Sequence, residues 1–311
     1  MKSCIERVPI SIGGVILGIT AMGNLLYDYM SYSREICGTI AVLLCILVVL
    51  KLIYYPHYFK EDLNNPILAS VIATFSMALM LISNYVCPYI GLEISYCIWI
   101  SAILLHIFFL LNYIYKYVLH FKLESYTAGS FVVFAGVQMI AITAPTFHQE
   151  LIGSIAFWFS FICVVCVFIT VCYRYLKIPV AGPVKPIIGV YGAPFSLCAV
   201  GYLSSVSPVN TLFAVSMYII TKILYIMILY KFITYIKHPM YPTYAAYTFP
   251  IVINAVTTLK LMKYLTGIGA NASLMEVELI IEIAISIILV AYVLIYFLIA
   301  IFEIKGREMI I

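Results

Sequence analysis

Ten apolar runs, each long enough to form a membrane-crossing helix, dominate this sequence. They fall at roughly 9–27, 36–55, 66–86, 89–115, 126–145, 151–173, 186–206, 209–236, 242–262 and 277–302. A helix needs about 20 apolar residues to cross a bilayer. The runs are continuous rather than alternating, which excludes the alternating segments of about 10 residues that build a lipid-spanning barrel. An α-helical bundle is the remaining solution, because backbone amides in lipid must find their partners within the protein. Composition agrees: 65% of the 311 residues are hydrophobic and 10% are charged, whereas soluble domains carry about 25% charged residues. The short loops leave no room for a soluble catalytic domain. A net charge of +4 is too small to imply nucleic-acid binding.

Ten crossings put both termini on one side. That side carries 13 basic residues, Lys2, Arg7, Lys51, Lys60, Lys116, Lys122, Arg174, Lys177, Lys185, Lys231, Lys237, Lys305 and Arg307. The other side carries Arg34, Lys260 and Lys263, and Lys222 falls inside the eighth run. The positive-inside rule therefore predicts cytoplasmic termini. Lys2 and Arg7 ahead of an apolar run that reaches Ala21-Met22-Gly23 have the look of a cleaved signal. The run is longer than a usual signal core, so it is expected to remain as the first span. Nine cysteines, mostly within spans, indicate no disulfide framework. Cys163 and Cys166 form a CxxC with no neighbouring His or second pair, which reads as packing rather than metal or redox chemistry.

Proline spacing reveals a repeat. Pro9, Pro66, Pro186 and Pro242 open the first, third, seventh and ninth runs, where a missing N–H costs little. The separations are 57, 120 and 56, so a unit of about 57–60 residues, one helical hairpin, recurs five times. The member expected near residue 126 reads Glu124-Ser125-Tyr126-Thr127, a polar helix start without proline. The approximate repeats are 8–60, 61–120, 121–180, 181–237 and 238–303 of one transmembrane domain, 1–311. Every unit starts on the same side, so the hairpins are parallel and related by an axis along the membrane normal. Odd runs hold Gly13, Gly14, Gly18, Gly23, Gly129, Gly136, Gly189, Gly192 and Gly201, plus interior Pro194 and Pro250. Even runs are rich in Ile, Leu, Phe and Tyr. Small residues let backbones approach and suit a lumen, while bulky aliphatics suit lipid and protomer contacts. Odd helices are thus expected inside, around a central pore, and even helices outside. Tight packing without a conduit satisfies the same pattern.

The expected lumen is neutral, because no odd run contains Asp, Glu or Arg and Lys260 comes only at the outer end of the ninth. Coupled transport generally calls for an intramembrane titratable or ion site, so passive flow is the simpler reading. An anion would meet hydroxyls and backbone dipoles, with Lys260 and Lys263 at the outer mouth. Lys222 and Glu282 lie within even runs and are candidates for an intramembrane ion pair, although Glu282 also suits a place at the headgroups with Glu276 and Glu278. His148 reads as an outer-loop residue.

Four motifs carry a family resemblance: Val8-Pro-Ile-Ser-Ile-Gly-Gly-Val-Ile-Leu-Gly18, Asn65-Pro66, Gly189-Val-Tyr-Gly-Ala-Pro-Phe195 and Tyr247-Thr-Phe-Pro250. The chain resembles the family of the bacterial tellurite-resistance protein TehA and the plant guard-cell slow anion channels, in all ten spans. The resemblance implies a homotrimer with one pore per protomer. It implies that Phe249 blocks the pore at mid-membrane and that Gly14 packs it; the residues alone do not distinguish Phe249 from 17 other phenylalanines. Pro194 and Pro250 are the expected pore kinks. The fifth run departs from the family in lacking its opening proline, and control by phosphorylated tails is not expected.

These readings converge on an all-α integral membrane protein of the plasma membrane, a gated channel for small monovalent anions such as chloride or nitrate. No enzyme activity, cofactor, metal site or nucleic-acid partner is expected. The alternative is a secondary transporter or exporter of a dicarboxylate, sulfite or tellurium oxyanion.

Overall fold

The computed structural model describes residues 4–236 and 240–302, which form helices and turns and no strand. Lys2, Lys237, Lys305 and Arg307, counted above for orientation, lie outside the described residues. Nine segments are long and apolar enough to cross a membrane: α2 (Ser33–Tyr54), α3 (Pro66–Ile90), α4 (Leu92–Val118), α5 (Ser130–Phe147), α6 (Glu150–Lys177), α7 (Gly182–Ser205), α8 (Thr211–Tyr235), α9 (Pro242–Gly267) and α10 (Ser273–Phe302). A shorter apolar helix, α1 (Ile12–Leu26), precedes them. The connection after α2 contains one further short helix, Pro56–Asp62.

Burial divides these segments into two classes. The most apolar stretches of α3, α5, α7 and α9 are 72–83% buried, those of α2, α4, α6, α8 and α10 only 28–39%. In α1, 12 of the 15 residues are buried. Segments α3, α5, α7 and α9 have lower mean hydropathy than the partners that follow them: the glycine and hydroxyl side chains are concentrated inside, while the outward faces of the even segments are rich in Ile, Leu and Val. Neighbour contacts close a ring: α1 packs on α3, α3 on α5, α5 on α7, α7 on α9 and α9 back on α1.

The buried segments are not uniform α-helices. Each carries i→i−3 hydrogen bonds in or just before its first half: Ile12 N to Pro9 O in α1, Phe75 N to Ile72 O in α3, and Val132 N to Gly129 O in α5. In α7 and α9 these become 3₁₀ helices, Gly182–Gly192 and Pro242–Tyr247. A 3₁₀ run of 11 residues is long for a form seldom exceeding three or four. Pro194 and Pro250 stand where 3₁₀ gives way to α, in the first turns of Pro194–Ser205 and Phe249–Gly267. They are therefore not interior to an α-helix, as the sequence suggested, and the lost i→i−4 bond expected there does not arise, because a first-turn N–H has no helical acceptor. The bend comes from the change of helix type. Pro186 likewise sits inside a 3₁₀ run rather than at an α-helix start. Pro66 does open its helix, which Asn65 caps by accepting from Ile67 N at 2.9 Å.

Two features have no counterpart in the sequence reading. Segment α5 breaks at Gly136-Val137, between Ser130–Ala135 and Gln138–Thr143, without a proline. Pro88 lies inside Ala73–Ile90. Only Gly91 separates α3 from α4, and its φ of +86° is open to glycine at no steric cost.

The 3₁₀ portions of α7 and α9 touch through Gly189, where a Cβ would stand 2.7 Å from the Ala246 carbonyl oxygen. Gly189→Ala is expected to cost about 1–3 kcal/mol through overpacking against backbone. Gly182→Ala, with nothing within 4 Å, is expected to leave the thermal midpoint of the detergent-solubilised protein unchanged, and the pair is compared by that measurement.

Candidate functional site

A cavity of about 700 Å³, counting its open mouth, occupies the first halves of all five buried segments. Ile67, Leu68, Pro242 and Thr243 lie where their segments begin, and Leu17, Met77, Leu197 and Phe249 lie deeper. None of the lining residues is ionisable, and the accessible wall is apolar. The sequence suggested hydroxyls facing a passing anion, yet the structure turns them to the backbone: Thr74 Oγ1 donates to Val71 O at 2.7 Å and Thr243 Oγ1 to Pro183 O at 2.7 Å. Thr74 thus satisfies itself within its own turn, as a helical Thr does when no water competes, whereas Thr243 reaches across to α7. Ser11 Oγ is buried among the cavity residues with no partner among the described residues.

Phe249 is buried, lines this cavity and is the first residue of the α part of α9. Two glycines of α1 bring that turn close. A Cβ at Gly14 would meet Ala245 O at 3.3 Å; one at Gly18 would meet Thr248 Cβ at 2.9 Å and Phe249 N at 3.0 Å. Thr248 Oγ1 lies 2.8 Å from Gly14 O and 2.7 Å from Ala245 O, and its one proton serves either. Gly14 thus abuts the turn before the ring, and Gly18, which the sequence reading did not single out for this place, abuts Phe249 itself.

Lys222 and Glu282 meet. Lys222 Nζ donates to Glu282 Oε1 and to Thr258 Oγ1, the latter at 2.6 Å, and lies 3.2 Å from Glu278 Oε1. Thr258 donates to Glu282 Oε2, and Tyr218 OH to Glu278 Oε2. Glu282 is only 3% exposed, so it does not reach for the headgroups as the alternative had it; Lys222 and Thr258 hold it inward. The ammonium has three donors and three acceptors here, which meets the requirement that a buried charge be both paired and hydrogen-bonded. None of these residues lines the cavity. The network ties α8 and α10 to α9, nine residues beyond Phe249.

The other basic candidates are engaged in side-chain contacts. Lys260 Nζ donates to Ser204 Oγ at 2.6 Å, and Lys263 pairs with Asp28 at 2.5 Å. His148 is exposed, with φ +55°. Cys163 and Cys166 are free thiols on the outward-facing α6.

Sequence reasoning missed two buried polar side chains. His106, on α4, places Nδ1 2.9 Å from Ser76 Oγ and Nε2 3.0 Å from Val133 O, bridging α3 and α5. A carbonyl accepts only, so Nε2 carries a proton. Gln138 donates to Phe157 O at 3.2 Å, while its Oε1 faces Gly201, where a Cβ would stand 2.6 Å away. Gln138, Cys198 and Asn254 are separated by 60 and 56 residues, the same intervals as the proline repeat, and that interval was the signal available for finding them.

The SLAC1 family model, described as voltage-dependent anion channel, matches residues 7–304 of the chain. No curated protein matches it.

Removing one partner of a buried pair typically costs 3–5 kcal/mol. Lys222→Met is expected to lower the thermal midpoint sharply, and Lys222→Met with Glu282→Gln to recover part of the loss, which a double-mutant cycle on the solubilised protein reads. His106→Leu leaves Val133 O without its donor and is expected to cost about 1–3 kcal/mol in the same assay, more than Leu substitution of exposed His148.

Proposed function

The chain belongs to the SLAC1 family of voltage-dependent anion channels, and from that premise we propose that it is a gated channel passing small monovalent anions such as chloride or nitrate through a pore closed by Phe249. The observation that carries this reading is that one apolar cavity draws its wall from α1, α3, α5, α7 and α9 and includes Phe249 at its deeper side. We read the five hairpins as parallel repeats around that axis, with odd segments inside. Gly14 and Gly18 set how closely α1 approaches the gate turn, and Pro194 and Pro250 fix the change from 3₁₀ to α beside it.

The physics of such a gate is dehydration. An anion entering an apolar constriction gives up water without gaining ligands, which is very costly, so a phenyl ring in a dry passage is a barrier without any charge. Weak sites on either side favour fast exit. Lys260, whose partner Ser204 is neutral, would contribute positive potential at the outer mouth, whereas the charge of Lys263 is offset by Asp28. The exposed aliphatic faces of the even helices suit lipid and the contacts of a homotrimer, placed in the plasma membrane with cytoplasmic termini. The alternative, an exporter of dicarboxylate, sulfite or tellurium oxyanions driven by protons, requires a titratable group on the path, and the cavity lining offers none.

Voltage clamp of Phe249→Ala in chloride tests the proposal. Current well above that of the unsubstituted protein is expected, reversing at the chloride equilibrium potential and indifferent to an imposed proton gradient. Proton-dependent uptake of an oxyanion with no chloride current would overturn it.

A further inference from the structure

A second concavity lies between α2 and α3, at the end of the bundle where α2 begins and α3 finishes. It holds about 1080 Å³ of empty space, counting its open side. Its long walls are aliphatic, with Val42 and Leu43 on α2 facing Ile82 and Val86 on α3, and Val42 and Leu43 are exposed. Its charged groups gather at one end, where Arg34 and Glu35 stand beside Tyr27 and Tyr89. From Arg34 to Leu43 the helix rises about 13 Å, at 1.5 Å per residue. One leaflet of hydrocarbon is about 15 Å, half the thickness of the core. The trough therefore has the length of one acyl chain, with its charge confined to headgroup level.

The polar end is rigidly built. Arg34 Nε donates to Asn24 Oδ1 at 3.0 Å, and its guanidinium carbon lies 3.8 Å from the Tyr27 ring centroid. That fixes the plane of the guanidinium while its terminal nitrogens have no partner among the described residues. Glu35 Oε1 accepts from Tyr89 OH at 2.6 Å, which leaves its second oxygen for a donor. On the floor, Gly38 lets the Tyr85 ring approach α2, since a Cβ there would stand 3.1 Å from Tyr85 Cδ2. Pro88, without an N–H to hold α3 straight, is part of the wall.

We propose that this groove binds one glycerophospholipid with a primary-amine zwitterionic headgroup, its phosphate on Arg34, its ammonium on Glu35 and one acyl chain along the trough. Charge complementarity selects the headgroup. Guanidinium takes phosphate through charge-assisted hydrogen bonds. A choline headgroup has no N–H to give Glu35, and a glycerol headgroup brings no positive charge to a carboxylate beside its phosphate. An amphiphile with both charges at one end of an apolar body matches the distribution along the groove. This inference is independent of the channel reading, because binding is read without ion flux.

Native mass spectrometry of the full-length protein, delipidated and then titrated with ethanolamine, choline and glycerol phospholipids of identical acyl chains, tests it. One ethanolamine lipid per chain is expected, bound roughly tenfold more tightly than the other two. Arg34→Gln and Glu35→Gln are each expected to remove that preference at unchanged thermal midpoint. Val42→Trp, which fills the trough and spares both charges, is expected to abolish retention. Equal binding of the three lipids, or full retention in the three variants, would overturn the proposal. So would a photoreactive side chain at position 42 that crosslinks two protein chains and no lipid, which would put a second copy of the chain in the groove.

Discussion

The structure depends on one constraint: in lipid, each backbone N–H and C=O must be satisfied by the protein itself. A straight α-helix does this unaided, and the outer segments are largely of that kind. The inner segments bend, change to 3₁₀ and break, and each departure loosens carbonyls that water would serve in a soluble protein. Side chains from neighbouring segments serve them here. Thr248 Oγ1 reaches Gly14 O, His106 Nε2 reaches Val133 O, Ser160 Oγ reaches Phe134 O at 2.8 Å, Asn254 Nδ2 reaches Gly192 O at 2.8 Å and Ser205 Oγ reaches Ala141 O at 2.5 Å. These contacts explain why Ser, Thr, Asn and His occupy buried places in so apolar a chain. They also hold five irregular segments apart around an unfilled volume, which dispersion alone would tend to collapse.

Much of this was legible in the sequence, and the limit is physical. Run length and composition gave the helices, since no other structure buries that many apolar residues in lipid. The proline intervals of 56 and 57, with the glycine content of odd runs, separated buried from exposed helices. Helix type was not legible. Pro194 and Pro250 looked like interruptions of an α-helix because sequence shows where an N–H is missing but not which bonding pattern precedes it. The break in α5 arises at Gly136, where a Cβ would lie 2.4 Å from Val132 O and 2.5 Å from His106 Cε1. It comes from packing, and no local motif announces it. For the same reason the sequence singled out Gly14 through resemblance but gave no sign that Gly18, one turn on, closely approaches the backbone of Phe249.

Charge is kept away from the cavity with some care. The 15% exposed side chain of Lys222 reaches two carboxylates and a hydroxyl on α9 and α10, so its ammonium serves to join α8 to the last two segments. Its field is largely cancelled before it reaches the cavity. A neutral apolar cavity and an ionic cluster set away from it are complementary: no ionisable group lines the first, and the second, one ammonium against two carboxylates, fixes the packing of α8, α9 and α10 outside it.

The single-residue joint at Gly91 bears on how the protein is made. Segment α3 is less hydrophobic than α4, and a chain with only one residue between them cannot release the first into lipid and pause before the second. The two are therefore expected to enter as one hairpin, the more hydrophobic arm beside the more polar one from the moment of insertion. Biogenesis and architecture then share a unit. The piece that the insertion machinery would handle is the α3–α4 hairpin, in which the less hydrophobic span arrives beside its more hydrophobic partner.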